Sequence, residues 1–229
     1  MSDPNAEIPI HEQDRRSNEV IERRYTILTT MVGSHAWSMA TPKSDRDMWN
    51  LQVAPLRLIK RDEANLESKM KRIPDDAHFH EASKVVKELI KGNLNFVEGV
   101  MSPKLEFATE EGHAIRRLVA ENPTKGTYHS MKGMLEHNIH QHLKKGLFTP
   151  KEWGKILRAA KMGITLLETG RYEFKPVDLS GCSEKAVREA LADLDVAYQN
   201  STLPERADER PFRDWLEMVR DRYVEPLPV

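Results

Sequence analysis

Cysteine is almost missing from this chain of 229 residues, since Cys182 stands alone. That excludes an internal disulfide framework and any cysteine-based zinc cluster. Long apolar runs are missing too, and with nowhere about 18 consecutive apolar residues no helical membrane span is expected. The opening MSDPNAEIPIHEQDRR lacks the apolar stretch of a secretory signal, so a reducing, cytoplasmic setting is the expectation. Net charge is also small: 35 Lys and Arg against 36 Asp and Glu leave −1, and bulk charge therefore draws in neither nucleic acid nor acidic lipid. No internal repeat or low-complexity tract appears, which removes solenoids and disordered tracts from consideration.

What is present reads as a globular chain long enough for one large domain or two small ones. Residues 1–13 form a polar leader, and Asp14 to Arg24 reads as a short helix capped at Ser17. Tyr25 to Val32 (YTILTTMV) is rich in β-branched and aromatic residues and reads as a strand; Met48 to Val53 (MWNLQV) reads as a second. Leu56 to Pro74 is crowded with charge and has little apolar periodicity, so an exposed excursion or mobile loop is expected there. Asp75 to His80 alternates weakly, as a third strand would. Glu81 to Lys91 carries Ala82, Val85, Val86, Leu89 and Ile90 on one helical stripe, with Gly92 as the stop. From about residue 105 only helical spacing is read, over 109–121, 128–144, 150–169, 183–199 and 209–224. The expected fold class is α+β: a small mixed sheet with flanking helices over 1–104, followed by a C-terminal helical bundle over 105–229.

Chemistry concentrates between the first two strands. Gly33-Ser34 ends the first strand, where a Gly-Ser turn leaves backbone N–H groups open to a phosphate. Asp45 and Asp47 stand at the start of the second, where a side-chain period of two points both carboxylates to one face. Such a pair suits a hard divalent cation shared with substrate phosphates. The competing reading makes Pro42 to Asp45 an ordinary polar turn with solvated aspartates. Further on, Lys144 to Lys161 holds six basic residues against Glu152 alone. That excess either draws in a triphosphate or a nucleic-acid end, or is the solvated face of a helix. His129, His137, His140 and His142 lack the spacing of a metal site, and Trp37, Trp49, Trp153 and Trp215 read as core.

The run Gly33-Ser34-His35-Ala36-Trp37 with Ala40 to Asp47 (ATPKSDRD) resembles the DNA polymerase β superfamily of nucleotidyltransferases. More narrowly, it is similar to the nucleotidyltransferases of an RNA-repair pathway in bacteria and phages, which carry GS(R/H)AYGL(A/N)TPxSDxD. Ala82 to Pro103 resembles the family's following helix, and this alignment places Asp76 at a third carboxylate. Arg158 with Lys161 to Gly170 (KMGITLLETG) and Leu203 to Asp208 (LPERAD) match further family segments, so the resemblance spans roughly residues 25 to 210. Departures are Asn50 near a common Gly, Leu94 for a Pro, Lys155 for a common His, and Val177 to Cys182 in place of an Arg-Asn-Gly segment.

The resemblance implies that Asp45 and Asp47 hold Mg²⁺ or Mn²⁺ at a nucleoside triphosphate, that Asp76 completes the metal-binding triad and helps activate an attacking hydroxyl, and that Gly33 and Ser34 meet the β- and γ-phosphates. His35, Lys151 and Arg158 join them as candidate nucleotide contacts. The implied reaction moves a nucleoside monophosphate to an acceptor hydroxyl, with RNA the first candidate acceptor. A protein or small-molecule acceptor, or a nucleotide-binding regulator without turnover, are the alternatives.

Overall fold

The computed structural model describes residues 26–54, 68–71, 76–145 and 149–223, without the side chains of 68–71, 142, 143 and 145. The expected leader, the helix at Asp14 to Arg24 and most of the Leu56 to Pro74 stretch lie outside the described residues.

Thr26–Met31 (β1) and Met48–Gln52 (β2) form the two expected strands and pair antiparallel. Ala77–Glu81 (β4) is the third; it runs parallel to β2 in the register Met48 opposite Ala77. Two further strands complete the sheet, Ser68–Lys71 (β3) against β4 and Leu105–Ala108 (β5) against β1, both antiparallel. The resulting five-stranded order is β3-β4-β2-β1-β5. Both edge strands correct the sequence reading. β3 lies inside the stretch expected to be an excursion, and its four residues SKMK carry no apolar alternation. β5 lies where helix alone was expected: it is only four residues long, and Leu105 and Phe107 are exposed, so its pairing rests on β1. β5 also sits beyond residue 104, where the catalytic part was expected to end.

Helices follow at Ala82–Ile90 (α1), Leu94–Met101 (α2) and Glu110–Glu121 (α3). Gly92, at φ 70°, breaks α1 from α2, and the Asn93 side chain caps the new start by accepting from Asn95 N–H. Two bonds fasten α2 and its end to β1: the Thr30 hydroxyl donates to the Gly99 carbonyl at 2.6 Å, and the Ser102 hydroxyl donates to the Met31 carbonyl at 2.5 Å. The C-terminal part has Gly126–Lys145 (α4), Pro150–Thr169 (α5), Glu184–Asn200 (α6) and Glu209–Arg222 (α7). α5 has the strongest start signals of the chain: Thr149 and Glu152 form a reciprocal capping box, Pro150 opens the helix, and Gly170 closes it in the left-handed conformation.

Two apolar clusters organise these elements. One joins the sheet, α1, α2 and α3 to Phe212, Trp215 and Val219 of α7, so the last helix returns to the sheet instead of extending the bundle. The other is built from α4, α5 and α6 and also takes Ala36 and Trp37 from the turn after β1. All four tryptophans are buried in these clusters, as expected from the sequence. Among the described residues no helix is long and apolar enough to cross a membrane.

Candidate active site

The turn after β1 starts at Gly33, whose φ of 64° is left-handed. A Cβ on Gly33 would lie 2.8 Å from Asp47 Oδ2, so glycine here lets a carboxylate close over the chain. Val32 N–H donates to the Asp47 carbonyl at 2.9 Å, which fixes the two segments side by side. The turn continues through Ser34, whose carbonyl accepts from Met39 N–H at 2.9 Å. Thr41 to Ser44 then make a tight turn, with Ser44 N–H donating to the Thr41 carbonyl and the Ser44 hydroxyl accepting from Thr41 N–H, each at 2.9 Å.

Asp45 and Asp47 precede β2 instead of lying on it, since the strand starts at Met48. The parallel pairing of β2 with β4 supplies the third carboxylate: Met48 N–H donates to the Asp76 carbonyl at 2.7 Å, so Asp47 and Asp76 enter adjacent strands together. The electrostatics record that convergence. Burial, then Asp76, then Asp45 hold the Asp47 carboxyl above its ordinary range, while His78 and His35 oppose the shift. Among the described residues no three His, Cys, Asp or Glu side chains are drawn together as a metal cage. A crowded carboxylate pair open to solvent is nevertheless the donor set Mg²⁺ uses, because that ion keeps waters and takes its remaining oxygens from substrate phosphates.

A cleft of about 550 Å³ opens over these groups. Gly33, Ser34, Asp45 and Asp47 line one side. Lys151, Lys155 and Arg158 line the other; they occupy i, i+4 and i+7 on α5 and so share one helical face. The structure thus brings six of the eight candidate residues to one cleft. Asp76 and His35 are electrostatic neighbours of Asp47 but do not line the cleft, and His35 Nε2 is buried without a hydrogen-bond partner. The 170–182 segment forms part of the wall. Leu179 lines the cleft and packs so close to α5 that a Cβ on Gly154 would meet it at 2.5 Å.

Three site features were not identified from the sequence. Lys155 enters the sequence reading only as one of the basic residues of Lys144 to Lys161 and as a departure from a common histidine, and Lys43, also on the cleft, only as part of a turn. The third is Glu98 on α2, whose Oε1 accepts from Gly33 N–H at 3.2 Å and from Trp37 Nε1–H at 2.9 Å. The Gly33 N–H is therefore engaged, contrary to the expectation of an open donor. Ser34 N–H and its hydroxyl carry no hydrogen bond among the described residues. Spacing offered one signal for the lysine, since 151, 155 and 158 are one helical face; none pointed from α2 back to the turn. Of the four histidines that lack the spacing of a metal site, His129, His137 and His140 are exposed on α4.

Comparison with known proteins adds a family and a fold. The family described as "RlaP: RNA repair pathway DNA polymerase beta family" matches residues 10–214. An uncharacterized protein of Methanocaldococcus jannaschii is 25% identical over 237 residues, covering 88% of this chain and 96% of that protein. Among solved structures, spectinomycin adenyltransferase AAD(9) from Enterococcus faecialis, with ATP and spectinomycin, aligns at 12% identity with a TM-score of 0.41; the match covers 93% of this chain and 98% of the other. A nucleotidyltransferase-like protein from Exiguobacterium sibiricum aligns at 16% identity and a TM-score of 0.33, covering 93% and 75%.

Proposed function

The chain belongs to the RNA repair pathway DNA polymerase beta family and is a nucleotidyltransferase; from that premise we propose that it transfers a nucleoside monophosphate from a triphosphate to a hydroxyl of RNA. One observation carries the reading: a single cleft sets Asp45 and Asp47 opposite Lys151, Lys155 and Arg158. A triphosphate has the charge to lie between them, with its anionic oxygens on α5. Mg²⁺ or Mn²⁺ bound through Asp45 and Asp47, with Asp76 adjoining, would neutralise charge on the transferring phosphoryl group.

The chain's own groups do the rest. Ser34, whose N–H and hydroxyl carry no hydrogen bond among the described residues, donates to a phosphate oxygen at the end of β1. The three cations of α5 hold the β- and γ-phosphates and stabilise the departing pyrophosphate, a role that depends on fixed positioning and charge. The acceptor hydroxyl oxygen forms a bond to the α-phosphorus as the bond to the β-phosphate bridge breaks, and the hydroxyl proton passes to Asp76. The sheet with α1, α2, α3 and α7 thus carries the carboxylates, and the α4–α6 bundle the cations. An RNA acceptor accords with the family's pathway and with the basic face that continues along α5 through Lys161.

The test is incubation of the full chain with each labelled triphosphate, Mg²⁺ or Mn²⁺, and either total RNA or cell lysate. Label on RNA that disappears with Asp45→Ala and Asp47→Ala is the expected result. Label only on protein or on small molecules refutes the RNA acceptor, and no label in any fraction refutes turnover.

A further inference from the structure

The structure contains a half-buried acidic grip that the reaction above does not use. Glu98 lies on α2, whose neighbouring residue Gly99 has no side chain because the Trp49 ring occupies that space; a Cβ there would be 2.3 Å from the ring. α2 therefore seats directly on β2, which delivers Glu98 beneath the turn that follows β1. There one oxygen, Oε1, accepts both the Gly33 N–H and the Trp37 indole N–H. The Arg158 guanidinium lies over the same indole, its Cζ 5.1 Å from the ring centroid, and Phe174 packs against the ring at 4.9 Å. Arg158 is close enough to feel the Glu98 charge, yet forms no ion pair with it among the described residues.

We propose that Glu98 is a positioning residue for nucleotidyl transfer, acting at both walls of the cleft through one oxygen. By holding the Gly33 N–H it directs that donor inward and leaves Ser34 as the group turned to substrate. By holding the indole it sets the platform on which Arg158 rests, so that the guanidinium meets the cleft at a fixed place. The two walls come from different apolar clusters, the sheet and the α4–α6 bundle. A single acceptor shared between them is the device that keeps their separation matched to a triphosphate. Burial pushes the Glu98 carboxyl up, while the indole, Arg158 and the Gly33 N–H pull it down; the grip uses the oxygen as an acceptor, which an amide oxygen can also supply.

This inference rests on the nucleotide reading of the cleft, and its test separates the two. Glu98→Gln, Glu98→Asp and Glu98→Leu are compared for folding, for the Trp37 indole ¹H–¹⁵N resonance, and for KM and kcat with the triphosphate. Gln keeps an oxygen in place and is expected to hold the indole resonance and a KM within about threefold of the parent. Asp keeps the carboxylate but withdraws it by one carbon-carbon bond, roughly 1.5 Å. It is expected to shift the resonance and raise KM by about 10- to 100-fold, the scale of a misplacement of about 1 Å. Leu should do at least as much, and in an Arg158→Ala background it should raise KM by a smaller factor, because the indole–guanidinium arm is then already lost and only the Gly33 arm remains. Folded Asp and Leu variants with parental kinetics overturn the proposal, as does full additivity with Arg158→Ala. If Leu does not fold, Asp decides. If the parent chain binds no triphosphate, the functional reading fails; an indole resonance unmoved by Asp then also removes the grip itself.

Discussion

Replacing Gly99 or Gly133 with alanine makes the same chemical change on two helices, and we expect opposite effects on stability. Each substitution gains helix propensity of about 1 kcal/mol, because alanine loses less backbone freedom than glycine. At Gly133 of α4 a Cβ meets nothing within 4 Å, so the gain stands. At Gly99 of α2 the Cβ would lie 2.3, 2.4 and 2.6 Å from three atoms of the Trp49 ring, where ordinary packing begins at 3.4 Å. Ring or helix must retreat by about 1 Å, an overpacking that costs about 3 kcal/mol or more. The ring has no room to retreat: it is 4% exposed, with His80 at 5.3 Å and Phe96 edge-on at 6.4 Å. The helix is also tied, through the Thr30 hydroxyl on the Gly99 carbonyl. The net for Gly99→Ala is a loss of at least about 2 kcal/mol, or about 4–8 °C in Tm for a chain of this size; Gly133→Ala should gain about 2–4 °C. Thermal unfolding followed by circular dichroism measures both. A Gly99→Ala protein that melts with the parent would refute the seating of α2 on β2 and, with it, the path that brings Glu98 to the turn.

The same geometry supports other expectations. Asp47→Asn removes a charge that burial, Asp76 and Asp45 disfavour, so at pH 7 the variant should be at least as stable as the parent while transfer falls by about 100-fold or more; a destabilised variant with normal turnover would contradict this. His80 is lowered from 6.5 to about 4 by burial, then by His78 and Lys84. The unfolded chain therefore takes up a proton that the folded chain refuses as pH falls from 6.5 to 4. Stability is full above 6.5 and lost across that window, by at most about 3 kcal/mol and less after solvent screening of a partly exposed ring. Denaturant unfolding across the window should flatten measurably in His80→Gln, and an unchanged slope would refute the assignment. Lys155→Ala should raise KM for the triphosphate about 3- to 10-fold at low salt and less at high salt, because an exposed charge is screened; a salt-independent effect would place Lys155 outside the electrostatic role.

Helices were the most legible part of the fold. The stripe Ala82, Val85, Val86 and Leu89 became the buried face of α1, and Thr149-Pro150 with Gly170 marked both ends of α5. Strands were legible where they are central and apolar, as in β1 and β2. β3 and β5 were not, because each is short, lies on a sheet edge, and owes its conformation to a partner strand instead of to its own side chains. The break at Gly92-Asn93 was read as a stop, but the new helix starting at Leu94 was not separated from the one before. At the candidate site, local pattern singles out Gly33, Ser34, Asp45 and Asp47, Asp76 follows only from resemblance, and Lys155 and Glu98 are not singled out.

That division has a physical cause. The local sequence determined which backbone can turn left-handed at Gly33, which carboxylates stand two residues apart, and which face of α5 is basic, since each depends on neighbours within a turn or two of the chain. It also determined an α+β chain with a helical C-terminal part. Only the tertiary structure decided that the carboxylates face α5 across one cleft, that α7 closes on the sheet and not on the bundle, and that Glu98 occupies the Gly33 donor. These outcomes depend on how apolar faces pack across separations of about 50 to 190 residues, as when Gly99 seats α2 on Trp49 and Trp37 enters the core of α4–α6. No local pattern encodes them, because the same helical face can be buried against any apolar surface of the right shape.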